Sequence, residues 1–269
     1  MTAYICTTCG TQNSSSELPP ARCSICDEAR QFVNPDGQAW TTLAEMRDGK
    51  TFRNMISHDE ENLYSITTEP EFAIGQTAYL VKADGFNLLW DCITYLDDQT
   101  LQQLEELGGI DAIGISHPHY YSAMVEWAQA FHVPVYLHAD DKEWVMRSSD
   151  SIHFWSGEQL KLAGGLSLHR LGGHFQGGTV LHWASGNEGK GILLTGDIIQ
   201  VAADRRWVSF MYSYPNLIPL PAAKVQDIAH RVKDLKFDRI YNAFHRVVKE
   251  NAAESVQKSA ERYIKALQA

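Results

Sequence analysis

The sequence predicts a layered α/β domain preceded by a small metal-stabilised module. Two observations carry this expectation. From Phe72 onward, short apolar runs alternate with segments of helical period, as when strands interleave with helices. Ahead of them, four of the five cysteines fall in two Cys-x-x-Cys pairs, Cys6/Cys9 and Cys23/Cys26, separated by thirteen residues.

That spacing is the spacing of a zinc ribbon, in which two tight turns each present two thiolates to one tetrahedral ion. Residues 1 to about 30 hold too few apolar side chains for a core, so a metal would supply the missing stability. Zinc is the expected structural ion, and four thiolates also suit iron in a rubredoxin-like knuckle. Paired disulfides are the weaker alternative, because the opening residues lack the charged and apolar regions of a signal peptide. Gly10 supports the first turn. Thr11 to Pro20 reads as a loop, and Asn34-Pro35-Asp36-Gly37 as a turn that divides residues 1–35 from 36–269. Cys92, alone in an apolar run, reads as a small buried hydrophobe.

Residues 38 to 70 give no clear period and are expected to form a short helical linker. Phe72 to Lys82 and Phe86 to Cys92 flank Ala83-Asp84-Gly85, a hairpin signal. Asp97-Asp98 starts a helix with Leu101, Leu104 and Leu107 at helical spacing. A strand follows at Ile110–Ser116, a helix at Tyr121–Phe131 and another strand at Val133–Leu137. Several short strands lie between Ile152 and Leu194. A helix is expected at Pro221–Leu235, a strand at Asp238–Asn242, and an amphipathic helix at Ala252–Leu267.

Composition narrows the function. The 269 residues carry a formal charge of -10 with both signs interspersed, which argues against a nucleic-acid partner. No long apolar run implies a membrane span. A cytoplasmic location and a small-molecule partner are expected, with a homodimer open.

Four separated segments place metal-type ligands where strands end: Ser116-His117-Pro118-His119-Tyr120-Tyr121-Ser122, Gly172-Gly173-His174, Thr195-Gly196-Asp197 and Ala243-Phe244-His245. Loops over a rigid scaffold are where catalytic metal centres are built. His117 and His119 stand two apart in an extended segment, so their rings can share a side. Asp197 ends an apolar strand, where a carboxylate is unfavourable unless it is paired or on a metal. The other seven of the eleven histidines read as surface or hydrogen-bonded residues. Asp91, ending an early strand, is a candidate to orient a ligand. The aromatic stretch Asp204–Leu220 reads either as a lid whose Arg205 or Arg206 holds a carboxylate, or as a packed interdomain or dimer contact.

This order of ligands resembles the metallo-β-lactamase superfamily over roughly Phe72 to Ala269. The resemblance implies an αββα four-layer sandwich with the metal at one edge of the paired sheets. It implies that His117, His119 and His174 hold a first ion, with Asp197 reaching toward a second. The second position would also need His245 and the Asp and His that the family motif carries where this chain has Tyr121 and Ser122. One catalytic ion, zinc or iron, is therefore expected. The implied activity is hydrolysis of an ester, thioester, lactone or amide through a metal-bound hydroxide. Asp197 would orient it, and Tyr121 or His245 would assist the leaving group. An alternative is the fold's persulfide dioxygenase branch, with iron on His117, His174 and Asp197. A further one is a non-catalytic scaffold with a degraded site.

Overall fold

The computed structural model of the protein describes residues 1–268. Its first strand, β1 (Ile5–Cys6), pairs antiparallel with β2 (Trp40–Thr41), so the cysteine module closes its sheet with chain beyond residue 35. Cys6, Cys9, Cys23 and Cys26 are buried, with sulfurs within 4.8 Å of one another. Cys6 Sγ lies 3.6 Å from Cys26 Sγ, and Cys9 Sγ 3.6 Å from Cys23 Sγ. A disulfide would bring two sulfurs to about 2.05 Å. Tetrahedral zinc, with Zn–S of about 2.3 Å, separates them by about 3.8 Å. The geometry is thus that of four ligands around one ion. Gln38 Nε2 donates to Cys6 Sγ at 3.2 Å, and contact with Cys23 drives the Cys6 thiol strongly toward thiolate. Gly10 has φ +79, and a Cβ there would sit 2.4 Å from Thr94 Oγ1. Thr94 donates to the Gly10 carbonyl at 3.0 Å, so this glycine both turns the first knuckle and lets it dock on the larger domain.

The expected linker holds one short helix, α1 (Leu43–Asp48), capped by Thr42, and then a long hairpin of β3 (Arg53–Glu60) and β4 (Leu63–Glu69). β3 is a sheet edge with most side chains exposed, which is why its sequence lacks an apolar signature. The expected Ala83-Asp84-Gly85 hairpin forms as β5 (Ala78–Ala83) and β6 (Phe86–Trp90). Helix α2 (Asp98–Glu106) starts at Asp97, whose carboxylate accepts the Thr100 N–H at 2.8 Å. With β7 (Ala112–Gly114), helix α3 (Met124–Phe131), β8 (Val135–His138) and β9 (Ile152–Trp155), the first sheet reaches seven strands in sequential order.

The second sheet begins with β10 (Gln159–Lys161), β11 (Leu166–Arg170) and β12 (Thr179–Trp183). A single turn, α4 (Gly186–Gly189), leads to β13 (Ile192–Leu194). Two small hairpins follow, β14 (Gln200–Val201) with β15 (Val208–Ser209), and β16 (Met211–Ser213) with β17 (Ile218–Pro219). Helix α5 (Ala222–Val232), β18 (Arg239–Tyr241), β19 (Val247–Val248) and helix α6 (Ala252–Leu267) complete the chain. The six-stranded order is β10-β11-β12-β13-β18-β19, with β13 and β18 parallel.

Period-two alternation builds the layers. Tyr79, Val81, Leu88 and Trp90 face Leu168, Leu181, Trp183 and Leu194 between the sheets. Their neighbours Leu80 and Leu89 point outward and join Leu104 of α2 and Trp127 of α3. On the far side, Val180, Leu193 and Ile240 pack against Val225 and Ile228 of α5 and Val256 of α6. The result is the αββα sandwich.

Removing one ligand from the thiolate cage should release the ion that holds the N-terminal module. Cys23→Ser is expected to lower metal content by one equivalent per chain. Amide-exchange protection should be lost around β1 and β2 and kept in β5–β8 and β11–β13. Retention of the equivalent, or loss of protection throughout, would contradict the assignment.

Candidate metal centre

Four strand ends meet at one edge of the sandwich. β7 runs into Ser116 and His117, β11 into Gly172-Gly173-His174, β13 into Gly196-Asp197, and β6 into Asp91. His117 is extended at φ -169, ψ 169, whereas His119 sits in a 3-10 turn, Pro118–Tyr120. That turn, not a continued strand, brings both rings to one side. The three imidazoles form a near-equilateral triangle. Ring centroids are 5.1 Å apart for His117–His119, 4.9 Å for His117–His174 and 5.0 Å for His119–His174. Asp197 closes it, its Oδ2 3.8 Å from His117 Nε2. One ligand atom from each of the four lies within 4.8 Å of the others, and all four residues are buried.

Neighbours fix each ligand's orientation. The Nδ1–H of His174 donates to the Met211 carbonyl at 3.1 Å, which leaves Nε2 bare and inward. His117 Nδ1 lies 2.8 Å from Ser116 Oγ, and the Ser116 backbone N–H donates to Asp91 Oδ1 at 2.7 Å. Asp91 thus holds the residue that holds His117, as its place at a strand end led one to expect. Gly196 has φ +51, and a Cβ there would lie 2.3 Å from Ser116 Oγ, so this packing requires glycine. The His174 loop is pinned from outside by Asp141, whose Oδ1 accepts the Gly177 N–H at 2.8 Å.

The electrostatics are those of a site built to receive a cation. Burial pushes the carboxyls of Asp197 and Asp91 up to about 7. Burial, then mutual repulsion, pushes His117 well below the ordinary imidazole range, and burial takes His174 to about 4. Neutral imidazoles are the form that binds metal. His117 Nε2, His119 Nε2 and Asp197 Oδ1 are buried with no hydrogen-bond partner. Unpaired buried polar atoms are unfavourable by about 1–3 kcal/mol each, so His117 Nε2 and Asp197 call for a shared partner, and His119 faces the same cluster through Nδ1, 3.2 Å from His174 Nε2. Three imidazoles and a carboxylate fit zinc or iron.

Residues 73–245 match the metallo-beta-lactamase superfamily. The chain belongs to that superfamily. A relative from Bacillus subtilis (strain 168), the uncharacterized protein YmaE, is 66% identical over 267 residues, covering 99% of this chain and 97% of its own. The metallo-beta-lactamase DIM-1 superposes with a TM-score of 0.60 at 14% identity, over 80% of this chain and 98% of that one. FIM-1 from Pseudomonas aeruginosa, in its mono-zinc form, gives a TM-score of 0.56 at 17% identity, over 78% and 96%. Identities this low establish the shared fold alone.

In this metallo-beta-lactamase superfamily member the residues expected at a second ion do not assemble. Tyr121 is buried in the core between the first sheet and its helices. Ser122 Oγ accepts from Gln76 Nε2 at 2.8 Å and faces the Cys92 carbonyl. His245, expected as a ligand or a catalytic group, is exposed at φ +51 in the β18–β19 turn and stands outside the cluster. Asn242 sets that turn, its Oδ1 accepting the N–H groups of Phe244 and Arg246. Among the described residues, the only two groups with metal-site geometry are the thiolate cage and the His3Asp set.

The phenol beside the His3Asp cluster belongs to Tyr120, one residue before the one expected. Its ring is 4.4 Å from His117, it is wholly buried, and its hydroxyl faces Asp197. The helical turn Pro118–Tyr120 rotates Tyr120 in and Tyr121 out, which a strand-like reading of the motif inverts. The aromatic stretch also divides. Arg205 and Arg206 are exposed, Arg206 pairing with Asp204 at 2.8 Å, so neither reaches the metal ligands. Tyr214 instead donates to the Asp197 carbonyl at 3.1 Å.

Burial pushes Asp141 up to about 6. An unfolded aspartate titrates near about 3.9. The protonated form therefore favours folding, a contribution complete below about pH 4 and lost as pH rises through about 6. Asp141→Asn removes this titration. The stability of the native chain relative to that variant should fall over the window from about pH 4 to about pH 7 and then stay level, as read from urea midpoints.

Proposed function

We propose that the protein is a metal-dependent hydrolase that cleaves an ester, thioester, lactone or amide bond of a small molecule. The observation that supports this is the buried triangle of His117, His119 and His174 closed by Asp197. A zinc or iron ion held by these residues would supply Lewis acidity and would lower the pKa of water at the site toward about 7. The chain's own groups do the remaining work. Three neutral imidazoles leave the positive charge of the site undiminished. Asp197, with Oδ1 free of any partner, is placed to accept and orient a proton of the attacking water. Tyr120, whose buried hydroxyl lies near that carboxylate with no hydrogen-bond partner of its own, is the group placed to pass a proton to a leaving group. Phe175, Tyr212 and Tyr214 wall the site and exclude bulk water, which strengthens each of these interactions.

One observation favours a second reading. A single metal position suits a mononuclear iron persulfide dioxygenase, with His117, His174 and Asp197 as the iron ligands. Element-resolved metal analysis of protein purified without added metal separates the two. Two equivalents per chain are expected, one lost in Cys23→Ser and the other in His174→Ala. Zinc at the histidine site with turnover of activated esters supports the hydrolase. Iron there, with thiol-dependent oxygen uptake, supports the dioxygenase.

The two adjacent tyrosines give a sharper check. Tyr120→Phe should lower kcat for an activated ester by about a hundredfold with metal content intact, the range of a positioned proton donor. Tyr121→Phe should leave kcat unchanged. Equal effects of the two substitutions would remove Tyr120 from the mechanism.

A further inference from the structure

The segment that follows the last cysteine ligand lies against the metal centre. Residues 28–31 are clamped to the β16–β17 hairpin: Ser213 Oγ donates to the Arg30 carbonyl at 2.9 Å, and Asn216 Nδ2 donates to the carbonyls of Ala29 and Gln31 at 3.0 and 2.9 Å. Tyr212 donates its hydroxyl to Glu28 Oε1 at 3.2 Å. This hairpin also carries Met211, the acceptor that orients His174. The strap and the metal ligands therefore share one support.

From this strap Arg30 projects inward. Its side chain is only 17% exposed. The guanidinium is stacked between the rings of Phe175, at 4.2 Å, and Tyr212, at 4.6 Å. Phe175 in turn packs against all three metal-binding histidines, with centroids 4.9 to 5.7 Å away. The cation is thus one aromatic ring from the ligands. Glu28 satisfies one edge of the fork, Oε1 to Nη1 at 2.7 Å. Nε is buried with no partner. A buried guanidinium beside a site built for a dication is repelled by it and incompletely paired. Both deficits are reduced by one anion that reaches past the Phe175 ring to the unpaired edge of the fork.

We infer that Arg30 is a substrate-recognition residue, which binds a carboxylate of the substrate while the scissile group lies at the His3Asp centre. Resting on the hydrolase reading, this names its substrate class: esters or amides of small carboxylic acids that keep a second, free carboxylate. The cysteine module then contributes a side chain to the active site. Stacking pre-organises the planar fork for bidentate binding, which a lysine would not reproduce. In a chain of formal charge -10, a local cation is also what lets an anion approach.

Binding and turnover test this separately. Calorimetry on the metal-loaded full chain would use succinate, glutarate and adipate, with the matching neutral diamides as controls. Wild type should bind at least one diacid and none of the diamides. Arg30→Gln should weaken that diacid about tenfold or more with metal content unchanged, whereas Arg206→Gln, a surface arginine, should not. Glu28→Gln removes the competing carboxylate and should tighten binding, an outcome a merely structural arginine would not give. In turnover, a nitrophenyl monoester of the same diacid should be preferred over the uncharged nitrophenyl ester, with Arg30→Gln losing the preference through KM. No diacid binding by wild type, or undiminished binding in Arg30→Gln, would overturn the inference. Absence of ester turnover with Arg30-dependent diacid binding intact would instead sink the hydrolase reading alone.

Discussion

Burying Asp197 beside three histidines, away from water, is the constraint on which the rest of the site depends. An unpaired carboxylate in such a place is unfavourable by several kcal/mol unless it is neutralised or paired. Of the surrounding side chains only the Tyr120 hydroxyl offsets part of that penalty. Ser116, Asp91, Met211 and Gly196 each fix a ligand, yet none pairs with Asp197 Oδ1. The sandwich makes this tolerable. Its two sheets hold the ligand-bearing strand ends rigidly enough that the cluster cannot relax by letting water in.

Much of this was readable from residue types and spacing. The thiolate cage follows from two Cys-x-x-Cys turns, because no other common site uses that pattern. His174 and Asp197 announce themselves by glycines just before them. Failures occurred where tertiary packing chooses between near-equivalent residues. Tyr120 and Tyr121 differ only by the turn that Pro118 begins, and that turn decides which phenol meets Asp197. His245 matches its motif, yet the Asn242-centred turn directs it to solvent. The β3–β4 hairpin was invisible because an edge strand with one wet face needs few apolar residues.

Arg30 shows a further kind of illegibility. Sequence distance hid it, since 144 residues separate it from Phe175, the next residue after a candidate metal ligand. Arg205 and Arg206 sit in an aromatic stretch, which made them the natural candidates for an anion partner. What distinguishes Arg30 is burial between two rings, a property of the fold and not of its neighbours in the chain. The thiolate cage is therefore more than ballast for a short N-terminus. Cys26, its last ligand, fixes where the strap begins, and the strap fixes where the guanidinium ends.

The covering of the histidines has a kinetic corollary. His117, His119 and His174 are each at most 2% exposed and Asp197 5%. An ion or a substrate can reach or leave such a centre only while the strap or its supporting hairpin is transiently undocked. Exchange is then gated by local opening, whose free energy is set by the strap's hydrogen bonds and the Arg30 stack instead of by metal affinity. Chelators present in excess would strip the centre at a rate independent of their concentration, and the chain would keep whichever ion was present when the strap first closed.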